Sequence, residues 1–499
     1  MLEGKNLGSP EEFWKYFQAI SQIPRCSGKE EHIREYIKNE VDRFGFENQI
    51  DAAGNLIVNI PSNDPNVHLM ILQSHMDMVC EKNENVAHNF SQDPLKLKTV
   101  EVADETWVTA EGTSLGADNG VGLALSLALM EKIYEKELQF DNINIRIIFT
   151  VNEEAGLTGA LHIDKELIDG DYLINLDCME ADSIIIGSTD CRYTVINIKI
   201  KRDTNIQSDE VLVPVKVYVK GLLGGHSGID IDKGRANAIK LVVEVLKKID
   251  REMGLYLESV EGGESFNAIP REASASFYVN EKNLDKLKTF LTQTAERFKK
   301  RYEGFEEDIK IIYKELQKNS PKYEVFQKEI QTKILNILYL LPFGPIYWHP
   351  HLENLVHTST NLGTLETKKN KIQIEMYHRS FDQQNILEIS TGIDSLLELS
   401  NMRYKINEAG EFGVWNPEIN TEFLKFSQNI YKTLYDKEPE IRSVHAVLEC
   451  GIFKNKCPNL EIITMGPTIE ACHSPDEKLN VNSVEKSWNF LKTLLKEIR

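Results

Sequence analysis

The sequence predicts an α/β protein: a mixed, largely parallel sheet flanked by helices, into which an α+β lid domain is inserted. Three observations predict it. Short runs of Ile, Leu and Val near both ends of the chain alternate with helical patterns, as they do where parallel strands are buried on both faces. The middle of the chain switches to strict polar–apolar alternation, which leaves one face of a sheet wet. And 499 residues are too many for one ordinary core.

The elements follow in order. Ser9-Pro10-Glu11-Glu12 reads as a helix start, with Ser9 capping, Pro10 the first helical residue and Glu12 completing a capping box. Residues 68–72, 143–151, 172–176 and 460–465 read as buried strands. Residues 120–133, GVGLALSLALMEKI, are apolar around most of their circumference and read as a helix buried against the sheet. Residues 195–200, 211–219 and 273–279 alternate, and 283–302 form a charged amphipathic helix. The domains are therefore 1–192, an insert over 193–384 with room for two subdomains, and 385–499 returning to the first.

Composition excludes several roles. With 57 basic and 77 acidic residues the net charge is −20, which repels nucleic-acid phosphates and anionic membranes. The most apolar stretch, 334–348, holds Asn336, Pro342 and Gly344 and is too short to span a bilayer. No secretory pattern opens the chain, so a cytoplasmic location is the expectation. The seven cysteines, Cys26, Cys80, Cys178, Cys191, Cys450, Cys457 and Cys472, contain no C-x-x-C pair and are expected to be reduced thiols.

The polar residues sit where the buried strands end. The first run leads to Ser74-His75-Met76-Asp77, the second to Asn152-Glu153-Glu154, the third to Asp177, and the fourth to a turn carrying His473. In open α/β sheets, ligands bind beyond the carboxyl ends of strands. A fifth segment, Gly116-Ala117-Asp118-Asn119-Gly120, places an Asp between glycines just before the buried helix. An H-x-D, a Glu pair or a Gly-rich turn is commonplace alone; the ordered series of buried runs ending in ligand types is not. Imidazole with carboxylate suits Zn, Mn or Co better than Ca or Mg, and a two-ion site activates a water whose proton a spare carboxylate removes.

SHMDMV (74–79), GADNGVG (116–122), NEEAGLTGA (152–160), NLDCME (175–180) and the late His473 resemble the aminoacyl-histidine dipeptidases, also called Xaa-His or cytosol non-specific dipeptidases. These belong to the di-zinc group with carboxypeptidase G, aminoacylase and carnosinase. GGHSGIDI (224–231), FNAIPREA (266–273), TSTNLG (358–363), RSF (379–381) and HAVLECGIF (445–453) extend the resemblance along nearly the whole chain. It implies hydrolysis of unblocked dipeptides, with Xaa-His among them. It implies two Zn²⁺ per chain (Mn²⁺ or Co²⁺ as substitutes), one held by His75 and Asp177, the other by Glu154 and His473. Asp118 bridges them ahead of a cis peptide to Asn119. Asp77 orients His75, and Glu153 is the general base. From the insert, His226 stabilises the oxyanion, while Asn267 and Arg379 bind the substrate. Val447 stands where the family usually has Gly, which bears on specificity rather than chemistry. Whether the lid acts within one chain or across a homodimer stays open. A deacylase on the same fold, and a metal-binding scaffold without activity, are the alternatives; the second is disfavoured because every ligand and the base are present.

Overall fold

The computed structural model describes residues 7–64, 67–204, 206, 210–317 and 323–498. The four buried runs are strands, here β1 (His68–His75), β2 (Ile143–Thr150), β3 (Tyr172–Asn175) and β4 (Glu461–Thr464). They lie in the order β2-β1-β3-β4 within a sheet that is eight-stranded among the described residues and run parallel. His75 is level with Thr150, and Gln73 with Asn175. The chain therefore leaves β1, β2 and β3 at one edge of the sheet, and the residues just beyond are delivered together. The helix Ala117–Tyr134 is buried from Ala117 through Glu131, on every face, which explains its lack of a polar stripe.

Two compact units result. The first comprises the residues up to Ser188, Phe412–Val444 and those from Leu448 on; the second comprises Thr189–Glu411 and His445–Val447. Within the first unit, Ser188 and Trp415 exchange both backbone hydrogen bonds, at 2.9 and 3.1 Å. The second unit is built on one antiparallel sheet, nine-stranded among the described residues. The helix Gln383–Leu399 and the strand Tyr404–Gly410, which pairs with Asp190–Lys199, belong to it. Alternate residues such as Val215, Val217 and Val219 fill its core together with the inner faces of Ala238–Glu252 and Leu284–Arg301. Among the described residues no helix is long and apolar enough to cross a membrane. The 334–348 stretch is divided between the helix Lys328–Leu340 and the strand Gly344–Trp348.

Two expectations are corrected. The first helix is Glu11–Ser21 with Pro10, not Ser9, as its flanking residue, and no side chain caps it. Pro10 carbonyl accepts from Phe13 N–H at 3.2 Å, so the first turn closes on the backbone. And Cys26 and Cys80 form a disulfide, leaving five free cysteines. Their loops are brought together by Arg25, whose carbonyl accepts from Met78 N–H at 3.1 Å, a proximity that spacing along the chain does not reveal. The bond joins residues 54 apart. A Cys26→Ser/Cys80→Ser chain is expected to lose about 2–4 kcal/mol, read as a lower denaturant midpoint; an unchanged midpoint would mean the cross-link constrains nothing.

Candidate metal centre

His75 closes β1 with its ring between three carboxylates. Nδ1 lies 3.3 Å from Asp77 Oδ1, a partner that keeps the proton on that nitrogen. Nε2 then faces Asp118 Oδ1 at 3.0 Å and Asp177 Oδ1 at 3.8 Å. On the other side His473 Nε2 lies 3.1 Å from Asp118 Oδ2 and 3.0 Å from Glu154 Oε1. The two oxygens of Asp118 are thus divided between two histidines. His75, Asp118 and Asp177 form one group with ligand atoms within 4.8 Å of one another, and Asp118, Glu154 and His473 a second; His75, Glu153 and Glu154 form a third that overlaps both.

The backbone is bent to present Asp118. Asp118 and Asn119 depart from helical angles at the start of Ala117–Tyr134, and the peptide between them is cis. Gly116 has φ +66°, and a Cβ there would meet Arg25 Nη2 at 2.6 Å; a Cβ on Gly122 would come within 2.0 Å of Asn119 Oδ1. Only glycine permits both approaches. Asp77 fixes the opposite wall: its carboxylate accepts from Glu153 N–H at 3.0 Å, Glu154 N–H at 3.1 Å and Ser27 Oγ–H at 2.7 Å. Burial works to raise the Asp77 carboxyl, but His75 and these donors hold it at about 2.

The electrostatics suit cations. Burial, then neighbouring carboxylates, push Glu153, Glu154 and Asp177 above the usual range. Burial opposes charge on His473, yet Asp118 and Glu154 push it up to about 11. Among the described residues no lysine or arginine is ion-paired with Asp118, Glu153, Glu154 or Asp177. The guanidinium of Arg25, buried beside them, spends its N–H groups on the carbonyls of Met76, Asp77 and Gly116. Two imidazole nitrogens among several buried carboxylates that have no lysine or arginine ion pair are a donor set that fits two divalent ions.

The three residues expected from the insert, His226, Asn267 and Arg379, lie in the second unit, and so does Val447. His226 Nδ1 accepts from Gly228 and Ile229 N–H at 3.3 and 3.1 Å. Arg379 Nη2 lies 3.3 Å from His226 Nε2 and its guanidinium stacks on Tyr377. Asn267 carbonyl accepts from Ser227 N–H at 2.8 Å, and its side-chain oxygen accepts from Ser265. Val447 is half-buried next to His445, whose Nε2 lies 2.7 Å from Ser359 Oγ.

Sequence reasoning missed five supporting side chains: Arg25, Ser27, Asn119, Glu449 and Glu477. Asn119 donates to Asp177 and to Leu176 carbonyl. Glu449 lies buried against Gln73 and Thr150, both of which donate to it. Glu449 opens the helix Glu449–Lys456 inside the HAVLECGIF segment, and Glu477 follows His473 by four residues; neither stands at the end of a buried run, where the ligands are marked. Burial raises the Glu449 carboxyl to about 7, against His75 and the two hydrogen bonds. Its folded-state value thus lies above its ordinary 4.5, so the stability it contributes is full below pH 4.5 and lost as pH rises to 7. In chelated protein Glu449→Gln is therefore expected to match wild type at pH 4 and exceed it above pH 7, by about 3 kcal/mol at most. Equal denaturation curves at pH 8 would refute this.

Comparison with known proteins agrees with this geometry. Residues 71–497 match the model of peptidase family M20/M25/M40. The chain is 32% identical to the cytosol non-specific dipeptidase of Escherichia coli (strain K12) over 494 residues, 98% of each chain. It is similar in structure to aminoacylhistidine dipeptidase from Vibrio alginolyticus, with a TM-score of 0.83 and 32% identity over 100% of this chain and 99% of that one. Aminopeptidase PepT from Bacillus cereus ATCC 10987 shares the fold, with a TM-score of 0.57 and 14% identity over 98% and 99% of the two chains.

Proposed function

Because the chain belongs to peptidase family M20/M25/M40, we propose that it is a metal-dependent dipeptidase that cleaves unblocked dipeptides, Xaa-His among them, with two zinc ions. The observation that carries the reading is Asp118, whose two oxygens face two separate His–carboxylate groups. His75, Asp118 and Asp177 would hold one ion, and Asp118, Glu154 and His473 the other. Ions held there would supply Lewis acidity, which lowers the pKa of a water and polarises a carbonyl. Glu153 takes the proton on its carboxylate and returns it to the leaving amine. Asp77 keeps His75 in one tautomer and holds the backbone of the Glu153-Glu154 turn. On the second unit, His226 would donate to the oxyanion; such a donor lowers a barrier by about 2.7–4 kcal/mol. Arg379 and Asn267 bind the dipeptide's terminal carboxylate and backbone, and Val447 restricts which side chains fit.

The test is a panel of Ala-His, β-Ala-His, Gly-Gly, Leu-Gly and N-acetyl amino acids. It is run on chelated protein with and without Zn²⁺, Mn²⁺ or Co²⁺, for wild type and Val447→Gly. Metal-restored cleavage of dipeptides alone, broadened by Val447→Gly, is expected. Cleavage of the N-acetyl compounds alone would make this a deacylase, and metal uptake without any turnover a binding protein.

A further inference from the structure

We propose that Glu477 and Arg25 are positioning residues that hold the bridging carboxylate of Asp118 in place; this rests on the two-ion reading above. Glu477 is buried, and four successive backbone N–H groups converge on it. Leu115 and Gly116 donate to Oε2 at 2.8 and 3.0 Å, and Ala117 and Asp118 to Oε1 at 2.8 and 3.3 Å. The left-handed turn at Gly116 aims these amides to one side, the arrangement in which backbone binds an anion. Arg25, also buried, takes the opposite pole of the same turn through the carbonyl of Gly116. Its other nitrogen takes the carbonyls of Met76 and Asp77, at 3.0 and 2.7 Å.

Among the described residues no hydrogen bond or ion pair joins either side chain to a ligand side chain, or the two to each other. Each makes its side-chain hydrogen bonds to backbone. The segments they tie are those that carry ligands: Arg25 holds 76–77, just beyond His75, to 116; Glu477 holds 115–118 to the turn that begins at His473. A helix start needs only a local Ser or Asp to satisfy its first amides. Here a carboxylate is brought from about 360 residues away into a region already crowded with negative charge, where burial is costly unless every oxygen is bonded. Capping alone does not call for that; fixing the Asp118 turn against the His473 turn does.

Glu477→Gln keeps the side chain's size but turns an amide against two of the four N–H donors. Three readouts are taken: Zn²⁺ titration of chelated protein, steady-state kinetics at saturating metal, and hydrogen exchange of the 115–118 amides in metal-free protein. Wild type should take two ions. Glu477→Gln should bind them at least tenfold more weakly, lose at least tenfold in kcat with KM within about twofold, and exchange those amides at least tenfold faster. Arg25→Lys, which keeps charge but not the fork, should move the first two readouts in the same direction. Wild-type ion affinity and kcat in both variants overturn the proposal, even if their melting temperatures fall, since that is a merely structural role. If wild type itself takes fewer than two ions, the two-ion reading fails, and unchanged amide exchange in Glu477→Gln then overturns the positioning claim on its own.

Discussion

Glu153→Gln protein is expected to bind two ions normally and to lose about 10²–10⁴-fold in kcat. Glu153 lies outside the two groups that share Asp118, so its loss leaves each group whole. Its backbone N–H, which Asp77 accepts at 3.0 Å, is unaffected by the substitution, and the turn should keep its shape. What disappears is a carboxylate raised above its usual range by burial and then by Glu154 and Asp177. A base works only when deprotonated, so the wild-type rate should fall as pH drops through the value of this group. The variant should lack that fall. Metal content by atomic absorption beside kcat decides the matter: wild-type turnover in the variant removes Glu153 from the chemistry, whereas lost metal would recast it as a ligand.

Asp118→Ala should be the most damaging single change at the centre, with activity at background and neither ion retained through gel filtration. Asp118 alone belongs to both groups, one oxygen 3.0 Å from His75 Nε2 and the other 3.1 Å from His473 Nε2. Asp177→Ala and Glu154→Ala each strip a ligand from one group only and should leave one ion bound. The contrast between zero and one is the informative quantity. If Asp118→Ala keeps one ion while Asp177→Ala keeps none, the bridge is misassigned.

The parts of this centre that were legible in the sequence share a cause. β1 to β4 each carry a short buried apolar stretch, Met70-Ile71-Leu72, Ile147-Ile148-Phe149, Leu173-Ile174 and Ile462-Ile463, and a ligand standing beyond such a run is marked by contrast. Asp118 was legible from its glycines, which Gly116 and Gly122 justify sterically. The rest was hidden because the contacts join residues far apart in the chain, several of them through backbone. Arg25 reaches carbonyls 51 to 91 residues away, and a carbonyl has no sequence identity. The Cys26–Cys80 bond was missed for the same reason. The strand Tyr404–Gly410 pairs with Asp190–Lys199 across two hundred residues, so nothing near residue 385 announces how far the second unit runs.

The exchange of hydrogen bonds between Ser188 and Trp415 has a consequence for how such a chain can grow. Closing a flexible loop costs only about 0.6 kcal/mol for each doubling of its length. With the two ends clasped by backbone alone, the first unit is nearly indifferent to what hangs between them, whether a short turn or the roughly two hundred residues present. All five metal ligands and the base lie outside that span. The insert is therefore free to be enlarged or trimmed over evolutionary time wherever His226, Asn267 and Arg379 keep their places, and selection on substrate choice can act there while the metal-holding half stays fixed.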